Sequence, residues 1–339
     1  MRQTSFRRRA LALAGITAAA ALTLSACSGT GSDDKGGDAA EKITVGISQF
    51  APHPALDAAT EGFKEAFADA GYVEGETVEF DLQNAQGEQQ NAVTIAQEFS
   101  TSDLDAVLAV ATPAAQAAAQ AITEVPVLFT AVTDAVEAEL VESNEKPGSN
   151  VTGTSDAVPA EALQGQFDLI KELVPDVKKV GIVYASGEVN SEVQVKDATK
   201  VADGMGIEIE TQTVTTANDI AQATEALGDV DAIYVPTDNM VVTGVAALIQ
   251  VAEEKKIPVI AAEAGTVESG AIATMGIDYH ALGKQTGEMA VKILKDDADP
   301  ADMPVETAST LANTVNPGAA ERMGVKLPES ITKDADVVE

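Results

Sequence analysis

The chain has 339 residues and a formal net charge of −33, from 54 acidic and 21 basic side chains. So acidic a surface repels phosphate backbones, and we therefore expect no nucleic acid partner. A single cysteine and two histidines exclude a Cys/His nucleophile and a cysteine-rich metal site, and no phosphate-binding glycine motif follows the first predicted strand. We therefore predict that the protein is not an enzyme and has neither a cofactor nor a metal centre.

The first 26 residues predict a secretion signal. A basic start at Arg2 and residues 7–9 precedes an apolar stretch, residues 10–22, that is too short for an ordinary membrane span. Leu24-Ser25-Ala26-Cys27 then resembles a bacterial lipobox, in which the Cys27 thiol is lipidated and becomes the new N-terminus. Because Cys27 is the only cysteine, we favour lipidation over an ordinary secretory signal with an incidental cysteine. Residues 27–41 are rich in Gly, Ser and Asp, which predicts a flexible tether.

The rest of the chain is predicted to form two similar α/β lobes. Strands and helices alternate at residues 43–48, 54–70, 77–83 and 88–99 and in a βαβ unit at 104–134. The same order recurs at residues 179–184, 190–205, 207–213, 219–227 and 230–265, offset by 126 to 135 residues. For example, Val45-Gly46-Ile47 recurs as Val180-Gly181-Ile182. Strands separated by helices of this length imply parallel pairing with right-handed crossovers.

The lobe boundaries follow from the repeat. We predict a first lobe of residues 42–154 and 279–298, and a second lobe of residues 155–278 and 303–330. The helix at 279–295 is placed in the first lobe because lobes joined by several crossings require the chain to return. A last short strand is expected near 308–311, and residues 331–339 are expected to form a tail that is frayed at 334–339. The predicted fold class is α/β, with two Rossmann-like lobes, each with a parallel sheet, joined by a hinge of several crossings.

Ligands of open parallel sheets bind beyond the carboxyl ends of the strands. In both lobes the polar residues that follow strands are hydroxyls, amides and single carboxylates, which suit a zwitterion. Its carboxylate would rest on the helix that begins at Thr112 and Pro113, and its ammonium would meet Asp238, Glu263 or Asp278. The candidate residues are Gln49, His53, Asn84, Thr112, Pro113, Ala131, Thr133, Tyr184, Asp238, Asn239, Glu263 and Asp278.

Each of these residues also has an ordinary structural interpretation. Thr112 and Asp238 are equally well read as N-caps of the helices that follow them. Asn84 suits a turn, and His53, between two prolines, suits a loop at the mouth of the cleft. Glu263 beside Gly265 could be a solvated side chain. The functional interpretation is stronger for the set than for any one residue, because all of the candidates come from the same sheet edge in both lobes.

Several longer motifs resemble one known family. They include HPALDAATEGFKEAF, ATPAAQAAA, FTAVTD, NVTGTSD, VDAIYVPTDN and GIDYHALGKQTGEMA. These are similar to the substrate-binding lipoproteins of ABC transporters of the tryptophan/tyrosine type, a branch of the type I periplasmic-binding-protein fold. The resemblance covers about residues 43–324. It implies two lobes with three crossings, a ligand cleft, an aromatic amino acid as ligand, and delivery to a membrane permease driven by an ATPase.

The resemblance also implies roles for individual residues. Thr112 and the amides after it would hold the ligand carboxylate, with Ala131 and Thr133 beside it. Asp238, Asn239 and Asp278 would be partners of the ammonium. The family commonly has Ser where this chain has Ala262, so a hydroxyl contact is not expected there. The chain has no Trp, and the aromatic residues expected to stack on a ligand are Phe50, Phe129, Tyr184 and Tyr279.

We therefore predict a monomeric, extracytoplasmic lipoprotein of the cell membrane. It would bind a tryptophan-, tyrosine- or phenylalanine-like amino acid between its lobes and deliver it to the permease. Two alternatives remain at this point. The same fold could bind a sugar or a nucleoside, although the absence of Trp argues against a sugar. The protein could also be a lipid-anchored sensor or adhesin that presents its ligand to a receptor.

Overall fold

The computed structural model describes residues 42–338, so the predicted signal peptide, the tether and the lipidation residue Cys27 lie outside the described residues. Within residues 42–338, no helix is long and apolar enough to cross a membrane. The described chain forms two mostly parallel sheets, each with its own hydrophobic core. This is the two-lobed α/β architecture that the internal repeat predicts.

The first sheet has six strands in the order β11-β5-β4-β3-β1-β2, and all of its pairs are parallel. Its middle strands consist almost entirely of buried apolar residues, as expected for a parallel sheet covered on both faces. The strands are β1 (Ile43–Gln49), β2 (Val78–Asn84), β3 (Ala106–Val110), β4 (Val127–Val132), β5 (Val151–Ser155) and β11 (Glu306–Thr307).

The second sheet has seven strands in the order β13-β12-β10-β9-β8-β6-β7. Its pairs are parallel except for β12, which runs antiparallel to β10. The strands are β6 (Lys179–Ala185), β7 (Glu208–Val214), β8 (Ala232–Val235), β9 (Val259–Ala261), β10 (Ala273–Ile277), β12 (Leu311–Val315) and β13 (Asp336–Val337).

Helices connect the strands of both sheets and cover their faces. They are α1 (Pro54–Asp69), α2 (Gln89–Phe99), α3 (Thr112–Ala121), α4 (Ala160–Leu173), α5 (Val189–Gly204), α6 (Ile220–Ala226), α7 (Asn239–Thr243), α8 (Val245–Lys255), α9 (Ala264–Glu268), α10 (Tyr279–Asp296), α11 (Pro317–Arg322) and α12 (Glu329–Thr332).

Helix α10 packs closely on α1 in the core of the first sheet. The contact depends on glycines, because a Cβ on Gly283 would lie 1.8 Å from the Ala59 carbonyl oxygen and one on Gly62 would lie 2.0 Å from the His280 carbonyl oxygen. Leu282 and Met289 on the same helix are buried in that core. The helix therefore fixes the point at which the chain returns from the second sheet to the first.

The chain passes between the sheets three times, after β5, after β10 and between β11 and β12. Here the structure differs from the sequence prediction. Residues 306–307 pair with β5 in the first sheet, although the sequence assigned 303–330 to the second lobe. The single strand expected at 308–311 is two strands on different sheets, with the third crossing between them.

The chain end also differs from prediction. Residues 336–337 form β13 against β12, and the Val338 amide donates to the Val315 carbonyl at 2.9 Å. An edge strand has unpaired backbone groups that attract another strand, and β12 offers such an edge. The predicted frayed tail is therefore wrong for these residues.

Candidate ligand-binding site

A small cavity lies where the carboxyl ends of the two sets of strands face each other. The first sheet contributes lining residues from the loops and helix starts at the ends of β1, β4 and β5. Those after β6, β8, β9 and β10 contribute from the second. The cavity is lined by His53, Ala55, Leu56, Ala131, Thr133, Asp156, Asn190, Thr237, Asn239, Val242, Glu263 and Tyr279. Its position follows from parallel pairing, which brings strand ends from each lobe to one edge.

Asp156 places a buried carboxylate in this cavity. It follows β5 at the first crossing and is 3% exposed. Its two oxygens accept hydrogen bonds from the Thr133 hydroxyl at 3.0 Å and the Tyr279 hydroxyl at 2.6 Å. Burial raises the pKa of Asp156, and these two bonds oppose the increase. None of the ion pairs among residues 42–338 involves Asp156, so its charge has no cationic partner there.

Glu263 is a second buried carboxylate in the cavity wall, but its oxygens are already used. They accept hydrogen bonds from the Gly265 amide at 2.6 Å, the Thr266 amide at 2.7 Å and the Thr266 hydroxyl. Glu263 is thus the N-cap of α9, where the helix dipole favours a negative charge. Burial is the main cause that raises the pKa of Glu263.

His53 forms a bridge between the lobes at one side of the cavity. Its Nε2 lies 3.4 Å from Asn239 Oδ1, and Asn239 Nδ2 donates to the Glu188 carboxylate at 2.6 Å. Burial lowers the pKa of His53 to about 4, so the ring is neutral at pH 7. Burial, followed by the charge of Asp238, raises the pKa of Glu188 to about 7.

Gln194 on α5 forms a second bridge between the lobes. Its Nε2 donates to the Thr133 hydroxyl at 3.1 Å and to the Thr237 hydroxyl, and its Oε1 accepts from the Thr237 amide at 2.9 Å. Together with the His53 bridge, these bonds hold the two sheets against each other around the cavity.

Two predicted ammonium partners have other roles in the structure. The Asp238 carboxylate is fully buried and accepts from the Ala185 amide at 2.6 Å, the Ser191 hydroxyl at 2.7 Å and the Val241 amide at 2.8 Å. Asp278 accepts from the Ala281 amide at 3.0 Å and caps α10. Neither residue lines the cavity. For Asp238 this is the capping role that the sequence left open.

The other predicted site residues divide into two groups. His53, Ala131, Thr133, Asn239 and Glu263 line the cavity, whereas Gln49, Asn84, Thr112, Pro113 and Tyr184 do not.

Gln49 and Asn84 have identifiable structural contacts. Gln49 Nε2 donates to the Ala51 carbonyl at 2.9 Å and to Asp57 at 2.7 Å, which ties β1 to α1. Asn84 accepts from the Gln86 amide at 2.8 Å in the turn after β2. Both residues therefore stabilise loops near the strand ends.

The backbone is strained next to the cavity. Ala131 has φ 56° and lies where the pairing of β4 with β5 shifts register. Ala111, directly before α3, has φ 82°. Non-glycine residues adopt such angles at a cost and persist in them where the surroundings fix the backbone, which is common at ligand sites. The Thr112 hydroxyl beside Ala111 is buried, with no hydrogen-bond partner among the described residues.

Sequence reasoning missed Asp156 and Asn190. Asp156 directly follows a strand in the motif NVTGTSD, so the strand-end rule would have found it. The residues around it were instead interpreted as a passage between lobes. Of the four aromatic residues expected to stack on a ligand, only Tyr279 lines the cavity. Phe50 and Phe129 are buried in the first core.

Comparison with known proteins places this geometry in a family. Residues 44–339 match the family described as ABC transporter substrate binding protein. The tyrosine-binding protein of Clostridioides difficile is 40% identical over 290 residues, which cover 85% of this chain and 83% of that protein. The crystal structure of an ABC domain from Streptococcus pneumonia in complex with L-Trp is 38% identical, with a TM-score of 0.83. It covers 88% of this chain and 100% of its own.

A third relative is similar over the same share of the chain. The ligand-free, open structure of a substrate-binding protein with adhesive properties from Clostridium difficile is 41% identical and covers 88% of this chain and 99% of its own. Its TM-score is nevertheless only 0.67. In the protein described here, hydrogen bonds of His53 and Gln194 join the two lobes at the cavity. The match over residues 44–339 shows that the chain belongs to the ABC transporter substrate-binding protein family.

Proposed function

We propose that this protein is the extracytoplasmic binding component of an ABC importer and that its ligand is an aromatic amino acid. The observation that carries the proposal is the buried Asp156 carboxylate, which lies in the interlobe cavity without a cationic partner among residues 42–338. A buried charge is costly unless it is paired, and a ligand ammonium would pair it. A relative named as tyrosine-binding and one solved with L-Trp support the same ligand class.

In this proposal Asp156 takes the role that the sequence gave to Asp238, Glu263 and Asp278. The Thr133 and Tyr279 hydroxyls hold the carboxylate in place, so the ammonium meets an oriented acceptor. Ala131 and Thr133 line the first-lobe side of the cavity. The ligand carboxylate would lie toward the start of α3, although Thr112 and Pro113 do not themselves line the cavity. The first amides of α3 would supply donors at the positive end of the helix dipole, together with the Thr112 hydroxyl, which has no hydrogen-bond partner among residues 42–338.

Closure of the lobes would enclose the ligand and remove it from water. This strengthens the charge interactions inside the cavity, and the three crossings would serve as the hinge. Ligand affinity and lobe closure are therefore coupled, because the bridges at His53 and Gln194 form only when the lobes meet. The closed form is the one that would be offered to the permease and its ATPase.

We also propose that the protein is anchored to the outer face of the cell membrane through a lipid on Cys27. The support is the lipobox-like sequence Leu24-Ser25-Ala26-Cys27 and the tether that follows it. If this is correct, Cys27→Ser expressed in the native host will move the protein from the membrane fraction to the soluble fraction. Retention of the variant in membranes after a high-salt wash would contradict the anchor.

Calorimetry against the twenty amino acids, with sugars and nucleosides as controls, tests the ligand class. We expect tyrosine or tryptophan to bind. The chain contains no Trp, so L-Trp binding can also be followed through the fluorescence of the ligand itself. Binding of a sugar or nucleoside, with no amino acid bound, would refute the proposal.

A further inference from the structure

We propose that His53 Nδ1 and Asn190 Oδ1 accept a hydrogen bond from the ligand side chain. The site would then prefer an aromatic amino acid with a side-chain N–H or O–H, tryptophan or tyrosine, over phenylalanine. This inference rests on the proposed function and adds the feature by which the site distinguishes one aromatic amino acid from another. It starts from two polar atoms in the cavity wall that are buried without a hydrogen-bond partner among the described residues.

The free atom of Asn190 is a hydrogen-bond acceptor. Its Nδ2 lies 3.0 Å from a Glu188 carboxylate oxygen and 3.1 Å from the Thr237 carbonyl oxygen. The Thr237 carbonyl oxygen can only accept hydrogen bonds, so the NH2 group of the amide must face it. The orientation of the amide is thereby fixed. Asn190 is 4% exposed, and its Oδ1 has no hydrogen-bond donor among residues 42–338.

The free atom of His53 is also an acceptor. Asn239 Nδ2 donates to Glu188 Oε2, which turns Asn239 Oδ1 toward His53. The hydrogen of the imidazole therefore lies on Nε2. Because burial keeps the ring neutral, Nδ1 carries a lone pair and no hydrogen.

The position of the two acceptors indicates which part of the ligand they meet. Ala55 and Leu56 follow His53 at the start of α1, and Val242 lies one turn after Asn239 on α7. These apolar side chains suit the apolar body of an aromatic ligand. The hydroxyls of Thr133 and Tyr279 instead gather around Asp156 at the first crossing. The ammonium therefore belongs at Asp156 and the aromatic side chain at His53.

The two acceptors come from opposite lobes, His53 from the first and Asn190 from the second. One N–H or O–H can be shared by two acceptors in a three-centre hydrogen bond. Tyrosine and tryptophan each supply one such hydrogen, whereas phenylalanine supplies none and leaves both acceptors without a donor from the ligand. Sites built to hydrogen-bond a polar group strongly reject the analogue that lacks it.

Calorimetric titration of the parent protein with L-Tyr, L-Trp and L-Phe tests this inference. We expect tyrosine, tryptophan or both to bind at least about tenfold more tightly than phenylalanine. In His53→Leu this preference should fall to within about threefold, through weaker binding of the polar ligands and not of phenylalanine. The matched control is Pro52→Ala, an exposed position in the same loop, which should keep the parent preference.

The possible outcomes are distinct. Equal affinity of the parent for all three ligands overturns the inference but leaves the proposed function intact. Equal weakening of all three ligands by His53→Leu also overturns it, because His53 would then contact the common amino-acid group. Should the variant fail to fold by circular dichroism, the ligand preference of the parent decides the matter alone. Failure of every amino acid to bind overturns the proposed function and this inference together.

Discussion

Replacing Asp156 by Asn removes the negative charge of the cavity and keeps the shape of the side chain. Asp156 is 3% exposed and is oriented by the Thr133 and Tyr279 hydroxyls, with which an amide can still form hydrogen bonds. Removing one partner of a buried, hydrogen-bonded charge pair costs about 2–5 kcal/mol. Since about 1.4 kcal/mol corresponds to a factor of ten, L-Trp binding should weaken by about 30-fold to about 4,000-fold.

The assay is titration of ligand fluorescence at pH 7.5, where the protein contributes no Trp signal. The matched control is Asp278→Asn, which removes one charge at the second crossing but does not line the cavity. Asn caps a helix as well as Asp does, so this variant should bind like the parent. The reasoning is refuted if Asp156→Asn binds within threefold of the parent, or if Asp278→Asn loses as much affinity.

Two further predictions concern the ligand-free protein. The pKa of Glu188 is raised from 4.5 to about 7, so between these values the folded state holds a proton that the unfolded state has released. Glu188 should therefore lower the melting temperature as the pH rises from about 5 to 7.5, so the parent should lose more stability over this range than Glu188→Gln does; equal changes in the two proteins would contradict the assignment. Gly283→Ala places a Cβ 1.8 Å from the Ala59 carbonyl oxygen, and chemical denaturation should show a loss of about 1–3 kcal/mol or more. Gly204→Ala, where a Cβ meets nothing within 4 Å, should be neutral or slightly stabilising; equal losses in the two variants would show that helix packing is not the cause.

The location of the cavity could be predicted from the sequence because it depends on short-range patterns. Alternating strands and helices imply parallel sheets, and parallel sheets bring strand ends to a common edge. Residues taken from that edge by this rule, among them His53, Thr133 and Asn239, do line the cavity. Their roles toward a ligand remain a prediction, which the proposed variants would test.

The choice among the acidic residues could not be made in the same way. Asp156, Asp238, Glu263 and Asp278 each follow a strand and look alike in sequence. In the structure, amide donors occupy the oxygens of Asp238 and Glu263, and the Asp278 carboxylate caps α10. Among these four residues, only Asp156 meets two conditions. It lines the cavity, and its carboxylate accepts hydrogen bonds only from side-chain hydroxyls. This difference depends on where neighbouring loops place their backbone N–H groups.

The amino-acid sequence by itself determined the class of fold, the repeat of two lobes and the sheet edge that carries the cavity. These follow from hydrophobic periodicity and from the geometry of parallel strands, which act over a few neighbouring residues. Tertiary structure decided the assignment of residues 306–307 to the first sheet and the pairing of β13 with β12. It also decided that one buried polar atom each of His53 and Asn190 has no hydrogen-bond partner among residues 42–338. Each of these depends on which donors and acceptors meet across long separations in the chain. That information exists only once the two lobes are packed together.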